Sequence, residues 1–232
     1  MAATLADLRC GKAPKAVLEY IHSLLNDDTT RAKALRTSRV AVPLHEDKAL
    51  RKLLQPWVAG VIKGRGTIRK GVRLGRGPTS ATMFPTCAGR VGRTGGGKLL
   101  VHQDYNPMYF PGQEAWSLIV LTKPVRTTAD GPTVVYPGTS SLDLDAKHRA
   151  RALQSCTAIE LKGEAGDAFV FAAADYHEVL PVRPAARVST RATRGGISSA
   201  PPSTASGDEI VRCNLVVGAW TAGLDNKFTF ED

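Results

Sequence analysis

The sequence has no run of about 18 apolar residues, the length a membrane-spanning helix requires. Its opening stretch, MAATLADLRCGKAPK, also lacks the apolar centre of a secretory signal. Both absences predict a soluble intracellular protein, cytoplasmic or nuclear, with room for a short organellar presequence. Cysteine is sparse: Cys10, Cys87, Cys156 and Cys213 are scattered and form no C-x-x-C pair, which argues against a zinc knuckle or a disulfide framework and predicts reduced thiols. Acidic residues are outnumbered, 21 against 31 Lys and Arg, and the net charge of +10 suits an acidic partner such as nucleic acid as well as it suits solubility. Internal repeats are absent as well.

What is present is apolar content of 43% over 232 residues, enough for a substantial core. In APKAVLEYIHSLLNDD, Val17, Leu18, Ile21, Leu24 and Leu25 recur at helical spacing until Asn26-Asp27-Asp28 breaks the pattern. A weaker helical pattern runs through EDKALRKLLQPWVAGVI, where Pro56 is expected to kink or divide it. Residues 63–76, KGRGTIRKGVRLGR, carry six basic side chains, four glycines and no acid, a composition for a basic loop or hairpin.

From about residue 79 the texture becomes short β-type runs: LLVH, WSLIVLT, PTVVYP, TAIELK, DAFVFAA, HEVLPV and RCNLVVGAW. Many short strands with few helices between them predict a mainly β double-stranded β-helix, or jelly roll, with flanking N-terminal α-helices. The expected organisation is an N-terminal helical and basic-loop extension, 1–78, packed on a β domain, 79–232. A flexible insertion at about 188–209, rich in Ser, Pro, Gly and Ala, is expected within the latter.

LLVHQDYN sets His102 and Asp104 two residues apart, so that in a strand both face one side together with Leu100. The pair is common by chance. GDAFVFAAADYHEVLPV adds His177 at the start of another strand, a candidate third ligand that could equally be a core histidine bonded to the backbone. Two histidines and one carboxylate on one face of an octahedron suit non-haem Fe(II) and leave positions open for other ligands. In RCNLVVGAW, alternation places Arg212, Asn214 and Val216 on one face of a buried strand, where an unpaired guanidinium would cost several kcal/mol and calls for an anion. An arginine at the barrel rim is the alternative.

The ordered set HQD, then HEVLPV after GDAFVF, then a strand opening with arginine resembles the iron(II)/2-oxoglutarate-dependent oxygenase superfamily over roughly residues 80–220, with a prolyl-hydroxylase-like core. The resemblance implies Fe(II) on His102, Asp104 and His177. It further implies 2-oxoglutarate and O2 as cosubstrates, ascorbate as an optional reductant, and a basic residue on the far carboxylate of 2-oxoglutarate. That anchor is expected at Arg212, with Arg187 in ARVSTRATR as the alternative because it stands nearer the family's usual spacing. The implied activity is hydroxylation of an unidentified substrate, a protein or peptide side chain first and nucleic acid second. A non-catalytic jelly-roll binding module is the reading outside enzymes.

GRTGGGKL, 92–99, nearly spells a phosphate-binding loop, but Leu99 stands where Ser or Thr would bind magnesium and no helix pattern follows. His22, His45 and His148 have no partners at ligand spacing. Tyr105, Tyr109 and Phe110 could line a substrate mouth or pack beneath a loop. Oligomeric state has no signature in the sequence.

Overall fold

A computed structural model describes residues 3–37, 39–42, 46–64, 80–87, 91, 97–104, 115–142, 149–183 and 209–220. The N-terminal part holds α1 (Leu5–Leu8), β1 (Arg9–Lys12), α2 (Lys15–Asn26), α3 (Asp28–Thr37), β2 (Val40–Val42) and α4 (Lys48–Gly64). Eight strands follow: β3 (Ser80–Cys87), β4 (Leu99–His102), β5 (Ala115–Leu121), β6 (Thr133–Val135), β7 (Ile159–Glu160), β8 (Asp167–Ala172), β9 (His177–Val179) and β10 (Ile210–Trp220). A short helix, α5 (Arg149–Leu153), lies between β6 and β7. All strand pairs are antiparallel, in a six-stranded sheet ordered β1-β8-β5-β10-β3-β2 and a four-stranded sheet ordered β4-β9-β6-β7. This is the expected jelly roll with N-terminal helices.

Period-two alternation builds the two sides of the larger sheet. Trp116, Leu118 and Val120 of β5, with Val170 of β8 and Cys213, Leu215 and Val217 of β10, join one apolar cluster with helix residues Val17, Ile21, Leu54 and Val58. Ile119 and Leu121 of β5 join a second cluster with Phe169, Phe171, Val135 and Leu161, which fills the space between the sheets. Each fully buried side chain of this size contributes about 1.5–3 kcal/mol. The inward face of β10 therefore carries Arg212, Asn214 and Val216 into a largely apolar interior.

All seven β-type runs named above carry strands, whereas β1, β2 and β3 carried too weak an alternation to be noticed. β1 and β2 form the outer edges of the six-stranded sheet, against β8 and β3. One helix expectation needs correction and the other holds. Pro56 does not divide α4, because Leu50, Leu54, Val58 and Ile62 recur every fourth residue on a buried face while Pro56 and Lys52 are exposed. Water can then solvate the Lys52 carbonyl that proline leaves unpaired. The break at Asn26-Asp27-Asp28 is a single extended residue: Asp27 ends α2, and its carboxylate accepts from the Thr30 amide at 2.8 Å to start α3. The 63–76 segment beyond Gly64, the insertion and the three aromatic residues after Asp104 lie outside the described residues.

Candidate metal centre

His102 ends β4 and His177 opens β9, and the two are direct partners across the antiparallel ladder. Their rings lie 4.2 Å apart, centroid to centroid. Asp104 follows β4, its main chain fixed by an N–H donated to the Ala173 carbonyl at 3.0 Å. Its Oδ1 lies 3.4 Å from Nε2 of His102 and 3.4 Å from Nε2 of His177, and one ligand atom from each of the three residues falls within 4.8 Å of the others.

The other ring nitrogens are engaged by the backbone. Nδ1 of His102 lies 2.8 Å from the Leu100 carbonyl, and Nδ1 of His177 lies 3.0 Å from the Asp175 carbonyl. A carbonyl only accepts, so each ring carries a proton on Nδ1, which leaves Nε2 as the nitrogen that faces the carboxylate and that would serve a metal once free of its own proton. The charges of the cluster reinforce one another. Burial works to raise the Asp104 carboxyl, yet the imidazoles of His102 and His177 and the Ser117 hydroxyl hold it well below the usual carboxylate range. Burial likewise works against a charged His177, and the Asp104 carboxylate outweighs it, raising the imidazole above its ordinary value. A carboxylate that draws positive charge onto its neighbour is a site suited to a cation.

One feature of β4 departs from plain alternation. Its register with β9 shifts between Leu99 and His102, so Leu99 rather than Leu100 shares the cavity wall with His102, and Leu100 is 70% exposed. The expected Leu100–His102–Asp104 face is thus corrected by a bulge.

Arg212, only 3% exposed, lies in the wall of the same cavity, of about 60 Å3, with His102, Asp104, His177, Thr133 and Asn214. Its Nη1 donates to the carbonyls of Gly131 and Leu180, the latter at 2.9 Å. Its Nη2 donates to Thr86 Oγ1 and the Gly97 carbonyl, both at 2.9 Å. All four partners are neutral oxygens. Burial pushes the guanidinium pKa down to about 10, which still leaves it charged near neutrality. Among the described residues, Arg212 Nε and Asn214 Oδ1 are buried without a hydrogen-bond partner. Arg187 lies outside the described residues.

Gly97 and Gly131, at φ of 77° and 72°, bring their carbonyls onto the guanidinium in a backbone conformation that side chains rarely adopt. A Cβ on Gly131 would overlap Arg212 Nη1 and the Leu180 carbonyl. Gly131→Ala is therefore expected to cost about 3 kcal/mol, read as a lowered denaturation midpoint. Gly138→Ala, at φ of 81° with open space around the new Cβ, is expected to cost only about 1 kcal/mol. Equal losses would mean that backbone strain, not contact with Arg212, sets the cost. Sequence reading passed over Thr86, Gly97, Gly131 and Ser117; the glycine run at 92–97, set aside as a failed phosphate loop, was the legible trace of the close approach at Gly97.

The mainly antiparallel jelly roll is a fold shared with solved structures, among them ones determined with iron or 2-oxoglutarate bound. AviO1 from Streptomyces viridochromogenes Tue57 superposes with a TM-score of 0.56 at 14% identity, over 91% of this chain and 87% of that one. EctD from S. alaskensis, solved with 2-oxoglutarate and 5-hydroxyectoine, gives 0.56 at 15% identity, over 89% and 68%. The epimerase SnoN, in complex with Fe3+, alpha ketoglutarate and nogalamycin RO, gives 0.51 at 16% identity, over 92% and 77%. No protein-family profile and no curated protein matches the sequence. Among the described residues no helix is long and apolar enough to cross a membrane.

Proposed function

We propose that this protein is an iron(II)- and 2-oxoglutarate-dependent dioxygenase that hydroxylates an organic substrate. His102, Asp104 and His177 hold the metal, and Arg212 pairs the far carboxylate of 2-oxoglutarate. The observation that carries the reading is the convergence of two imidazole Nε2 atoms and one carboxylate oxygen in a cavity that also holds a buried cation with no anionic partner among the described residues. The donor set fits Fe(II): neutral nitrogens and a carboxylate, with the remaining positions open.

The cavity fits 2-oxoglutarate through its polar wall. All four Nη hydrogens of Arg212 are committed to protein oxygens, so the donor left for a carboxylate is Nε. Thr86 Oγ1 accepts from Arg212 and keeps its own hydroxyl hydrogen for a ligand. Asn214 Nδ2 lies 3.5 Å from the Thr133 hydroxyl. A half-turn of that amide would let Thr133 donate to the unpartnered Oδ1 and free an N–H donor in the cavity wall.

Bound iron and 2-oxoglutarate supply the oxidising chemistry, with dioxygen reduced and 2-oxoglutarate decarboxylated to succinate. The chain supplies orientation and exclusion of water. Ile119, Val179 and Val216 keep the pocket apolar around the polar groups, which strengthens each charged contact. A protein side chain, a prolyl residue first, is the substrate class drawn from the prolyl-hydroxylase-like stretch GDAFVF to HEVLPV. The molecules named with the similar structures are small ones, so small hydroxylatable compounds belong beside it.

Anaerobic titration with Fe(II) and then 2-oxoglutarate is expected to produce a visible charge-transfer absorption, and admission of air to produce succinate. A panel of prolyl peptides, short nucleic acids and small heterocycles should contain one compound that accelerates succinate release and gains one oxygen atom. Metal binding with neither absorption nor succinate would make the protein a jelly-roll binding module instead.

A further inference from the structure

The carboxylate of Asp104 uses its two oxygens differently. Oδ1 faces both imidazoles, while Oδ2 accepts a hydrogen bond of 2.6 Å from the Ser117 hydroxyl. Ser117 is 2% exposed on β5, a strand paired to Phe171 of β8 on one side and to Gly218 of β10 on the other. Its neighbours Trp116 and Leu118 point to the helical layer, so its own side chain enters the space between the sheets, where it is the polar member of a fully buried strand. The donor cannot move away without breaking two ladders. On the same rung, Phe171 meets the His177 ring edge-on at 5.1 Å.

We infer that Ser117 is a positioning residue that restricts Asp104 to one-oxygen ligation and so keeps a coordination position free for the cosubstrates. The inference rests on the assignment of His102, Asp104 and His177 as metal ligands. A carboxylate can bind a metal through one oxygen or both. With two imidazoles, two-oxygen binding fills four of six positions, and one-oxygen binding fills three. Chelation of 2-oxoglutarate takes two positions and dioxygen one, so only the second arrangement accommodates all partners at once. The amide of Asp104 already fixes its main chain on Ala173. The rotation of the carboxylate about its own axis is the remaining freedom, and it is broad for such a terminal torsion unless a partner holds it. The Ser117 hydroxyl is that partner.

The test uses the full chain loaded anaerobically with Co(II), whose visible absorption reports coordination, followed by titration with 2-oxoglutarate. Ser117→Ala is expected to keep Co(II) bound, its affinity lowered by no more than the roughly 10- to 100-fold usual for lost outer-shell support, while changing the visible spectrum and weakening 2-oxoglutarate binding to the Co(II)-saturated protein by at least about tenfold. Ser117→Thr, which retains the hydroxyl, should restore the wild-type spectrum and cosubstrate affinity. Should Ser117→Ala fail to fold by circular dichroism, Ser117→Cys, of similar volume with a weaker donor, takes its place. An alanine variant that matches wild type in both spectrum and 2-oxoglutarate affinity overturns the inference, and so does one that loses Co(II) itself. Wild-type protein whose Co(II) binding is indifferent to His102→Ala overturns the ligand assignment beneath it.

Discussion

Asp104→Ala or His102→Ala is expected to abolish Fe(II) binding and 2-oxoglutarate turnover while the protein stays folded. Loss of outer-shell support alone typically costs 10- to 100-fold in metal affinity, so loss of a ligand should cost at least about 100-fold. The fold should tolerate either change because neither side chain belongs to the apolar clusters of the core. In Asp104→Ala the Ser117 hydroxyl loses its acceptor, at a cost of about 1–3 kcal/mol. Calorimetric Fe(II) titration beside a thermal melt separates the two effects. Retained 2-oxoglutarate turnover in both variants would remove the triad from the mechanism.

Arg212→Ala is expected to raise the 2-oxoglutarate requirement by about two orders of magnitude, and Arg187→Ala to leave it within about threefold. Hydrogen bonds to charged groups contribute about 1.5–3 kcal/mol each, so one lost charged contact and its coulombic attraction account for that factor. Arg212→Ala should also lower stability, because the Gly131, Leu180 and Gly97 carbonyls and Thr86 lose their donor together. Arg212→Lys keeps the charge but loses the Nε donor and cannot hold all four oxygens that the Nη groups bind, and should recover only part of the affinity. The measurement is 2-oxoglutarate binding to the Fe(II)-loaded protein, with denaturation midpoints alongside. The opposite ranking of the two alanine variants would transfer the anchor to Arg187.

Much of this arrangement was legible residue by residue. The seven apolar runs became strands because each has enough β-branched and aromatic content for a buried pleated surface. His102 and His177 could be paired in advance only through their resemblance to an ordered pattern, since ladder register is a tertiary property. The inward face of Arg212 followed from alternation along β10, whose register with β3 is regular from Arg212 onward. The face of Leu100 did not, because a bulge inserts a residue that no local pattern announces. β1 and β2 are four and three residues long and take their strand character from the edges they cover. Ser117 carried a signal that went unread: a lone hydroxyl in AWSLIVL, inside a strand otherwise apolar throughout.

The edge positions of β1 and β2 bear on any effort to trim this protein to a minimal catalyst. Starting the chain at residue 79 would strip the rims from β8 and β3 and uncover the outward row of Met83, Leu118, Val170 and Leu215 that the helices shelter. Bare rims beside a greasy flank recruit further copies of themselves, so the excised barrel would clump before it could be assayed. The leading third serves as the barrel's overcoat, and engineering should begin from the whole garment.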